Sequence, residues 1–170
     1  MKIYIMCSLT NGHDNAFLCR LVTELESRGH VVTNSHVAET DYAFAFCRNA
    51  NIALNLIDRP EYAYLVRDKD YYWLDQSEVI LGWFIEGSAG ACMEFEHARL
   101  LHDLQIHGLL RTTSSFARRI AMFFLNNNGK RSHILHAIHP GEWDFISHHF
   151  VDLKEDALKL AIGIIEELES

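Results

Sequence analysis

The sequence has few prolines, no long hydrophobic run and no leader-like start. Two prolines occur in 170 residues, Pro60 and Pro140, and neither lies in a linker-like stretch, so we expect one domain spanning residues 1–170. No stretch reaches the roughly 18 consecutive apolar residues that a membrane-spanning helix needs. The first ten residues lack the basic run and the length of a signal peptide. A cytoplasmic protein is therefore expected.

Basic residues and cysteine pairs are also scarce. Fifteen Lys and Arg stand against 23 Asp and Glu, which gives a formal charge of −8. We expect no nucleic-acid polymer as a partner, because phosphate backbones select basic surfaces, whereas a small anionic ligand needs only a local site. The four cysteines contain no CxxC pair, which excludes a zinc ribbon or a thioredoxin-type motif. Buried free thiols are expected at Cys7, Cys19, Cys47 and Cys92.

Hydrophobic segments alternate between strand-like and helix-like patterns along the chain. Strands are predicted at 2–7, 31–33, 79–84, 108–110 and 134–138. Helices are predicted from about residue 15 to Gly29, over most of 38–60, and at 61–76, 91–104, 114–125 and 154–169. This alternation predicts an α/β fold, a flavodoxin-like (Rossmann-like) doubly wound parallel sheet of about five strands with helices on both faces. Ligands of such folds bind at the carboxyl ends of the strands, which selects loops 8–13 and 85–91.

The most informative stretch runs from Asp75 to Arg99. A buried strand leads into a Ser-x-Gly turn at Ser88, and this turn begins a helix that carries Glu94. The free N–H groups of a helix start can hold an anion, and the helix dipole favours a carboxylate there. An ionised carboxylate beside a bound phosphate suits attack on a sugar carbon. The alternative without a catalytic role is that Glu94 is a surface residue near the N-terminus of the helix, where the dipole favours a carboxylate.

Four segments of the chain carry a family resemblance. They are YIMCS at 4–8, SHV at 35–37, DYYWL at 70–74 followed by SEVI at 77–80, and SAGACMEFE at 88–96. In that order they resemble the first strand with its Gly-Ser loop, a Glu-His-Val segment, an Asp-x-x-Trp-Leu…Ala-Asp-Val-Val signature and a Ser-x-Gly-x-Gly-Tyr-Glu-Leu-Gly signature. These signatures are those of the nucleoside 2-deoxyribosyltransferase superfamily, and the chain resembles most closely its branch of 2′-deoxynucleoside 5′-phosphate N-hydrolases.

The resemblance implies an N-glycosidase that splits a (2-deoxy)nucleoside 5′-monophosphate into a free base and a sugar 5-phosphate. Glu94 would be the nucleophile at C1′, Asp70 would orient or protonate the leaving base, and Tyr4 would position the nucleophile or the sugar. The residues implied to contact the substrate or its phosphate are Ser8, Thr10, His36, Ser88 and Gly90. The resemblance also implies that no metal or organic cofactor is needed and that the chain forms a homodimer sharing its sites.

The chain departs from the family pattern at three positions. Thr10 stands where an Arg is expected, and this removes a bidentate contact to phosphate. Cys92 and Glu96 replace two glycines of the last signature. These changes bear on the phosphate requirement and the base preference, and they leave Glu94 and Asp70 in place. Two alternatives stay open: a nucleoside 2-deoxyribosyltransferase that moves the sugar between bases, and a non-catalytic nucleotide-binding module.

Two further features of the composition invite interpretation. Eleven histidines occur, and a metal site is conceivable from His133, His136, His139, His148 and His149. On a strand, however, a spacing of three puts neighbouring histidines on opposite faces, so we expect no metal. The apolar side of the helix predicted at 114–125 and the aromatic residues of 42–46 exceed what one small sheet needs. This excess agrees with the expected homodimer.

Overall fold

The computed structural model describes residues 1–7, 14–56, 59–84, 89–109, 119–125 and 145–170. The strands in this part are β1 (Lys2–Cys7), β2 (Val31–Val32), β3 (Val79–Phe84), β4 (Arg119–Leu125) and β5 (Ile146–Val151). They form one parallel sheet in the order β2-β1-β3-β4-β5. The predicted α/β, doubly wound parallel sheet is confirmed. The strand order reverses between β1 and β3, which is where such folds bind ligands.

Helices cover both faces of this sheet. The helices of the described residues are α1 (Asn15–Ser27), α2 (Tyr42–Ala50), α3 (Ala63–Leu74), α4 (Ala89–Ile106) and α5 (Lys154–Glu169). Two aspartates cap the N-termini of α1 and α2. Asp14 accepts a hydrogen bond from the N–H of Phe17, and Asp41 accepts one from the N–H of Phe44. Gly29 follows α1 with a φ of +86°, a conformation that favours glycine.

The alternation of side chains along β1 divides the core into two layers. Ile3 and Ile5 pack on the face that α1 and α5 cover. Tyr4 and Met6 point to the opposite face, where they pack with buried residues of α3 and α4 such as Phe95. A strand buried on both faces is continuously apolar, as the segment Lys2–Cys7 is after its first residue. The hydroxyl of Tyr4 thereby lies under α4, inside the layer that carries the candidate site.

The helix predicted at 114–125 is wrong over its described part. Residues Arg119–Leu125 form β4, which pairs with β3 on one side and β5 on the other. Ile120, Phe123 and Phe124 recur at helical spacing, but a strand buried on both faces is apolar at every position and satisfies that spacing as well. The rest of the predicted helix, residues 114–118, lies outside the described residues.

The fourth and fifth predicted strands are also corrected. Helix α4 continues to Ile106, and Gly108 follows in a turn with a φ of +66°, so no strand begins at Gly108. The fifth strand is Ile146–Val151, whereas the segment predicted, 134–138, lies outside the described residues. The sequence ISHHFV hides this strand because half-buried histidines break its apolar pattern.

The stretch predicted as mostly helical between residues 38 and 60 is only partly so. Helix α2 ends at Ala50, because Asn51 adopts a left-handed conformation with a φ of 57°. The helix predicted at 61–76 is confirmed as α3, and the C-terminal helix matches residues 154–169. The apolar residues thought to be in excess are only partly used inside the molecule. Phe46 packs against Trp73 and Phe123 lies in the core, whereas Phe44 is 51% exposed.

Two expectations from composition can be compared with the structure. None of the four cysteines forms a disulfide; Cys47 is buried and Cys7 and Cys92 are half-buried, but Cys19 is exposed, so burial was wrongly expected there. Among the described helices, none has the length and the hydropathy to cross a bilayer.

Candidate active site

A cleft with a volume of about 370 Å³ opens between α3 and α4. Its described walls comprise Ala63, Tyr64, Val66, Arg67, Asp70 and Tyr71 of α3 with Gly90, Met93 and Glu94 of α4. The residues of α3 recur at intervals of three and four, so they share one face of that helix. Asp70 and Glu94, which lie 24 positions apart in the sequence, therefore face the same cavity.

Tyr4 of strand β1 lies beneath the cleft and contacts one of these two carboxylates. Its side chain is 2% exposed, and its hydroxyl donates a hydrogen bond to the carboxylate of Glu94. Strand β1 fixes the position of Tyr4, and the start of α4 fixes that of Glu94 in the second turn of the helix. The three residues expected to be catalytic are thus brought together, and the hydroxyl is placed to orient one oxygen of Glu94.

The two carboxyl groups resist ionisation for related reasons. Burial raises the pKa of Glu94 well above its usual range, and the charge of Asp70 raises it further, while the hydrogen bond from Tyr4 acts in the opposite direction. Burial raises the pKa of Asp70 to about 7. The two groups are therefore coupled, and their protons are lost in two steps that belong to the pair. The hydrogen bond from Tyr4 acts toward the arrangement in which Glu94 carries the charge and Asp70 carries the proton.

Cys7, the last residue of β1, lies within electrostatic reach of the same pair. Burial raises the pKa of its thiol above the ordinary value, and the charges of Glu94 and Asp70 raise it further. The thiol therefore stays protonated at neutral pH. Because the thiolate is the nucleophilic form of cysteine, this thiol is a poor nucleophile.

His36, which was expected to contact the substrate, lies away from the described walls of the cleft. It belongs to a short 3₁₀ helix, Ser35–Ala38, and is 1% exposed. Its ring packs 5.3 Å from the ring of Phe46 and 5.0 Å from that of Trp73, centroid to centroid. It is absent from the described walls of the cleft. Its Nδ1 has no hydrogen-bond partner among the described residues, and burial lowers its pKa to about 4.

We expect His36 to make the fold sensitive to acid. Between its folded pKa of about 4 and its ordinary pKa of about 6.5, the unfolded chain binds more protons than the native one, so stability falls as the pH falls. His36→Phe should remove about 2 kcal/mol of the loss in unfolding free energy between about pH 7 and pH 4.5. Urea titrations at the two pH values measure this, with the exposed His107→Gln as the control. Equal acid sensitivity of His36→Phe and the wild type would contradict it.

The remaining predicted residues divide between the cleft and the parts not described. Gly90, which the resemblance implies to be a phosphate contact, lines the cleft near the start of α4. Ser8, Thr10 and Ser88 lie outside the described residues. Strands β1 and β3, which precede their loops, are neighbours in the sheet.

The histidines considered as metal ligands are similarly divided. His148 and His149 are successive residues of β5, whereas His133, His136 and His139 lie outside the described residues. Within the described ranges, no three His, Cys, Asp or Glu side chains are grouped so that they could hold a metal ion.

Sequence reasoning missed several residues that form the cleft. Tyr64, Arg67, Tyr71 and Met93 line it, although none of them had been assigned a role. Helical spacing could have found Arg67: once Asp70 is assigned to the site, the residues three, four and seven positions earlier on α3 share its face. Tyr64 and Tyr71 do not stand at those positions, and Met93 belongs to α4, so this spacing does not find them.

Comparison with known proteins adds no assignment to this geometry. The sequence matches no model of a known protein family, and a search of curated proteins gives no match either. The function is therefore inferred from the cleft itself, where two half-buried carboxyl groups face the same cavity and one of them accepts a hydrogen bond from Tyr4 beneath it. Two carboxyl groups with different environments can serve as a nucleophile and a general acid.

Proposed function

We propose that the protein hydrolyses the N-glycosidic bond of a (2-deoxy)nucleoside 5′-monophosphate and releases a free base and a sugar 5-phosphate. The observation that supports this best is that Glu94 and Asp70 face one cleft and that Tyr4, beneath it, hydrogen-bonds to Glu94. Glycosidic cleavage passes through an oxocarbenium-like state, and a carboxylate stabilises the positive charge that develops at C1′. The four sequence segments that resemble the N-hydrolase branch assign the same three residues to the reaction.

The reaction proceeds in two steps in this proposal. Ionised Glu94 attacks C1′ and forms a C1′–O bond while the C1′–N bond breaks, and the proton of Asp70 passes to the departing base. Asp70, now a carboxylate, then takes a proton from a water molecule whose oxygen attacks C1′ and releases Glu94. The second step restores both groups to their starting states. Side chains supply both the nucleophile and the acid, so the proposal requires no cofactor.

Tyr4 has a specific part in this scheme. Its hydrogen bond stabilises the ionised form of Glu94, because the donor lowers the carboxyl pKa against the opposing effects of burial and Asp70. The same bond fixes one Glu94 oxygen and leaves the other for C1′. Tyr4 cannot act as a base near neutral pH, because burial and the two neighbouring carboxylates raise the pKa of its hydroxyl.

A panel of nucleosides and their 5′-monophosphates, with base release followed by chromatography, tests the proposal. Release of base with water as the acceptor supports a hydrolase. Base exchange that requires a second free base would favour the deoxyribosyltransferase. Tight binding of monophosphates without any release of base would favour the non-catalytic nucleotide-binding module.

We expect 5′-monophosphates to be preferred over nucleosides, but less strongly than an arginine in the first loop would make them. Gly90 lines the cleft near the start of α4, where the free backbone N–H groups of a helix favour an anion. Thr10 in place of the arginine forgoes a charge-assisted contact of about 1.5–3 kcal/mol. The ratio of kcat/KM for a monophosphate and its nucleoside measures the preference, and Thr10→Arg should increase it. Equal kcat/KM for the two substrates would contradict the role of phosphate.

A homodimer belongs to the same proposal. Among the residues first thought to form its interface, Phe46 and residues 120–124 are buried, whereas Phe44 is exposed. Further exposed apolar side chains lie on α4 and just beyond it, at Met93, Leu100, Ile106 and Leu109. Light scattering should give twice the chain mass of 19.6 kDa at micromolar concentration. Leu100→Glu should shift the mass toward one chain, because a charge in an apolar interface is costly. A wild-type mass of one chain would contradict the dimer.

A further inference from the structure

A chain of three side chains supports one wall of the cleft from behind. The ring of Tyr71 stacks on the ring of His97 with centroids 3.9 Å apart and an interplanar angle of 7°. His97 in turn hydrogen-bonds through Nε2 to Oδ1 of Asp75 at 2.8 Å. Tyr71 and Asp75 belong to the C-terminal end of α3, and His97 belongs to α4. The stack therefore ties together the two helices that form the cleft.

Tyr71 separates the cleft from a second cavity. Tyr71 and Met93 line both the cleft and a more open groove of about 340 Å³, and His97 lines the groove. The imidazole therefore covers the ring of Tyr71 on the groove side. A half-buried tyrosine ordinarily moves between rotamers, and a ligand that immobilises it loses affinity for that reason. The stack and the hydrogen bond to Asp75 fix the ring before any ligand arrives.

Building on the proposed function, we propose that Tyr71 is the stacking platform for the nucleobase and that His97 and Asp75 are positioning residues that hold it. The platform adjoins Asp70, the residue before it in the chain, and both line the cleft. A base lying on the Tyr71 ring is thus beside the carboxyl group that protonates it. The neighbouring Val66 and Met93 provide the apolar surroundings that a planar heteroaromatic ring favours.

The substitution Tyr71→Leu tests the platform. It should weaken the binding of a nucleoside monophosphate by about 10–100-fold, because base–aromatic stacking is lost. It should leave the binding of 2-deoxyribose 5-phosphate, which lacks a base, unchanged. Tyr71→Phe retains the ring and should behave as the wild type. Calorimetric titration in a Glu94→Gln background measures binding without turnover, and base release by the otherwise unmodified enzyme should show a raised KM with kcat little changed.

Tyr72→Leu is the matched control. Tyr72 lies next to Tyr71 on the same helix but is 58% exposed, and it is absent from the described walls of both cavities. Its replacement should leave every affinity unchanged. His97→Ala should raise KM several-fold and His97→Phe should restore it, because a phenyl ring can still stack on Tyr71. Thermal melts of each variant report whether it folds.

The outcomes separate the platform from the function. If the wild type binds and cleaves nucleotides, and Tyr71→Leu weakens only ligands that contain a base, the platform is supported. If the wild type binds and cleaves nucleotides, and folded Tyr71→Leu binds them with the same affinity, the platform is overturned while the proposed function stands. If the wild type neither binds nor cleaves any nucleotide of the panel, the proposed function and the platform for a base both fail.

Discussion

Replacing Glu94 by glutamine is expected to lower the rate of base release by at least about a hundredfold and to leave substrate binding intact. The amide keeps the shape of the side chain and can still accept the hydrogen bond of Tyr4. It lacks the negative charge that meets the positive charge at C1′ and cannot form the covalent intermediate. Binding persists because the phosphate and the base are held by other groups. Single-turnover base release and calorimetric binding measure the two quantities separately.

Glu96→Gln is the control for this experiment. Glu96 follows two residues later on α4 but is exposed, and its carboxylate accepts a hydrogen bond of 3.0 Å from Arg99. Its loss removes one negative charge from the same helix and should change the rate little. If Glu96→Gln is inactive and Glu94→Gln is active, the alignment of the signature is wrong by two residues. If both variants are fully active, the catalytic role of α4 is wrong.

The sheet could largely be predicted because its strands are buried on both faces and therefore stand out as apolar runs. This holds for β1 and β3. The same property misled the interpretation of β4, since a continuously apolar segment also satisfies a helical spacing. Strand β5 was missed for the opposite reason, because its two histidines interrupt the apolar run. Local pattern thus identifies burial more securely than it identifies the type of element.

The walls of the candidate site were predictable where a residue could be chosen for the chemistry of its own side chain. Glu94 and Asp70 were chosen as carboxyl groups in a motif, and the structure brings them to one cleft. The stack of His97 on Tyr71, which supports one wall of that cleft, was not predictable. These two residues lie 26 positions apart in the sequence, and their contact depends on how α3 packs against α4. The placement of His36 between Phe46 and Trp73 likewise depends on a contact that no sequence spacing reveals.

Replacing Asp70 by asparagine is expected to change both the pH dependence and the leaving-group dependence of the reaction. Wild-type kcat/KM should fall as the pH rises through about 7, because Asp70 loses the proton that the base needs. Asp70→Asn should lose that alkaline limb. Its rate with ordinary bases should fall about 10²–10⁴-fold, the usual contribution of a general acid. An N7-methylated purine, which leaves without protonation, should be cleaved at nearly the wild-type rate.

The acid limb of the same profile, which follows the protonation of Glu94, is the internal control. Asp70 is itself protonated and uncharged below about pH 7, so its replacement by asparagine removes no charge there. The acid limb of kcat/KM should therefore stay at the same pH in Asp70→Asn while the alkaline limb disappears. A merely structural role for Asp70 predicts a lower rate with both limbs retained.

Stability should change in the direction opposite to activity. The native state holds the Asp70 proton up to about pH 7, whereas the unfolded chain releases it near 3.9, so wild-type stability falls as the pH rises between these values. At about pH 8, Asp70→Asn should therefore exceed the wild type by about 2–4 kcal/mol in unfolding free energy, and the advantage should shrink toward about pH 4. Asp68→Asn, an exposed neighbour paired with Arg67, should show no such trend. A wild type as stable as Asp70→Asn at both pH values would mean that burial does not oppose the ionisation of Asp70, and the general acid would have to be sought elsewhere in the cleft.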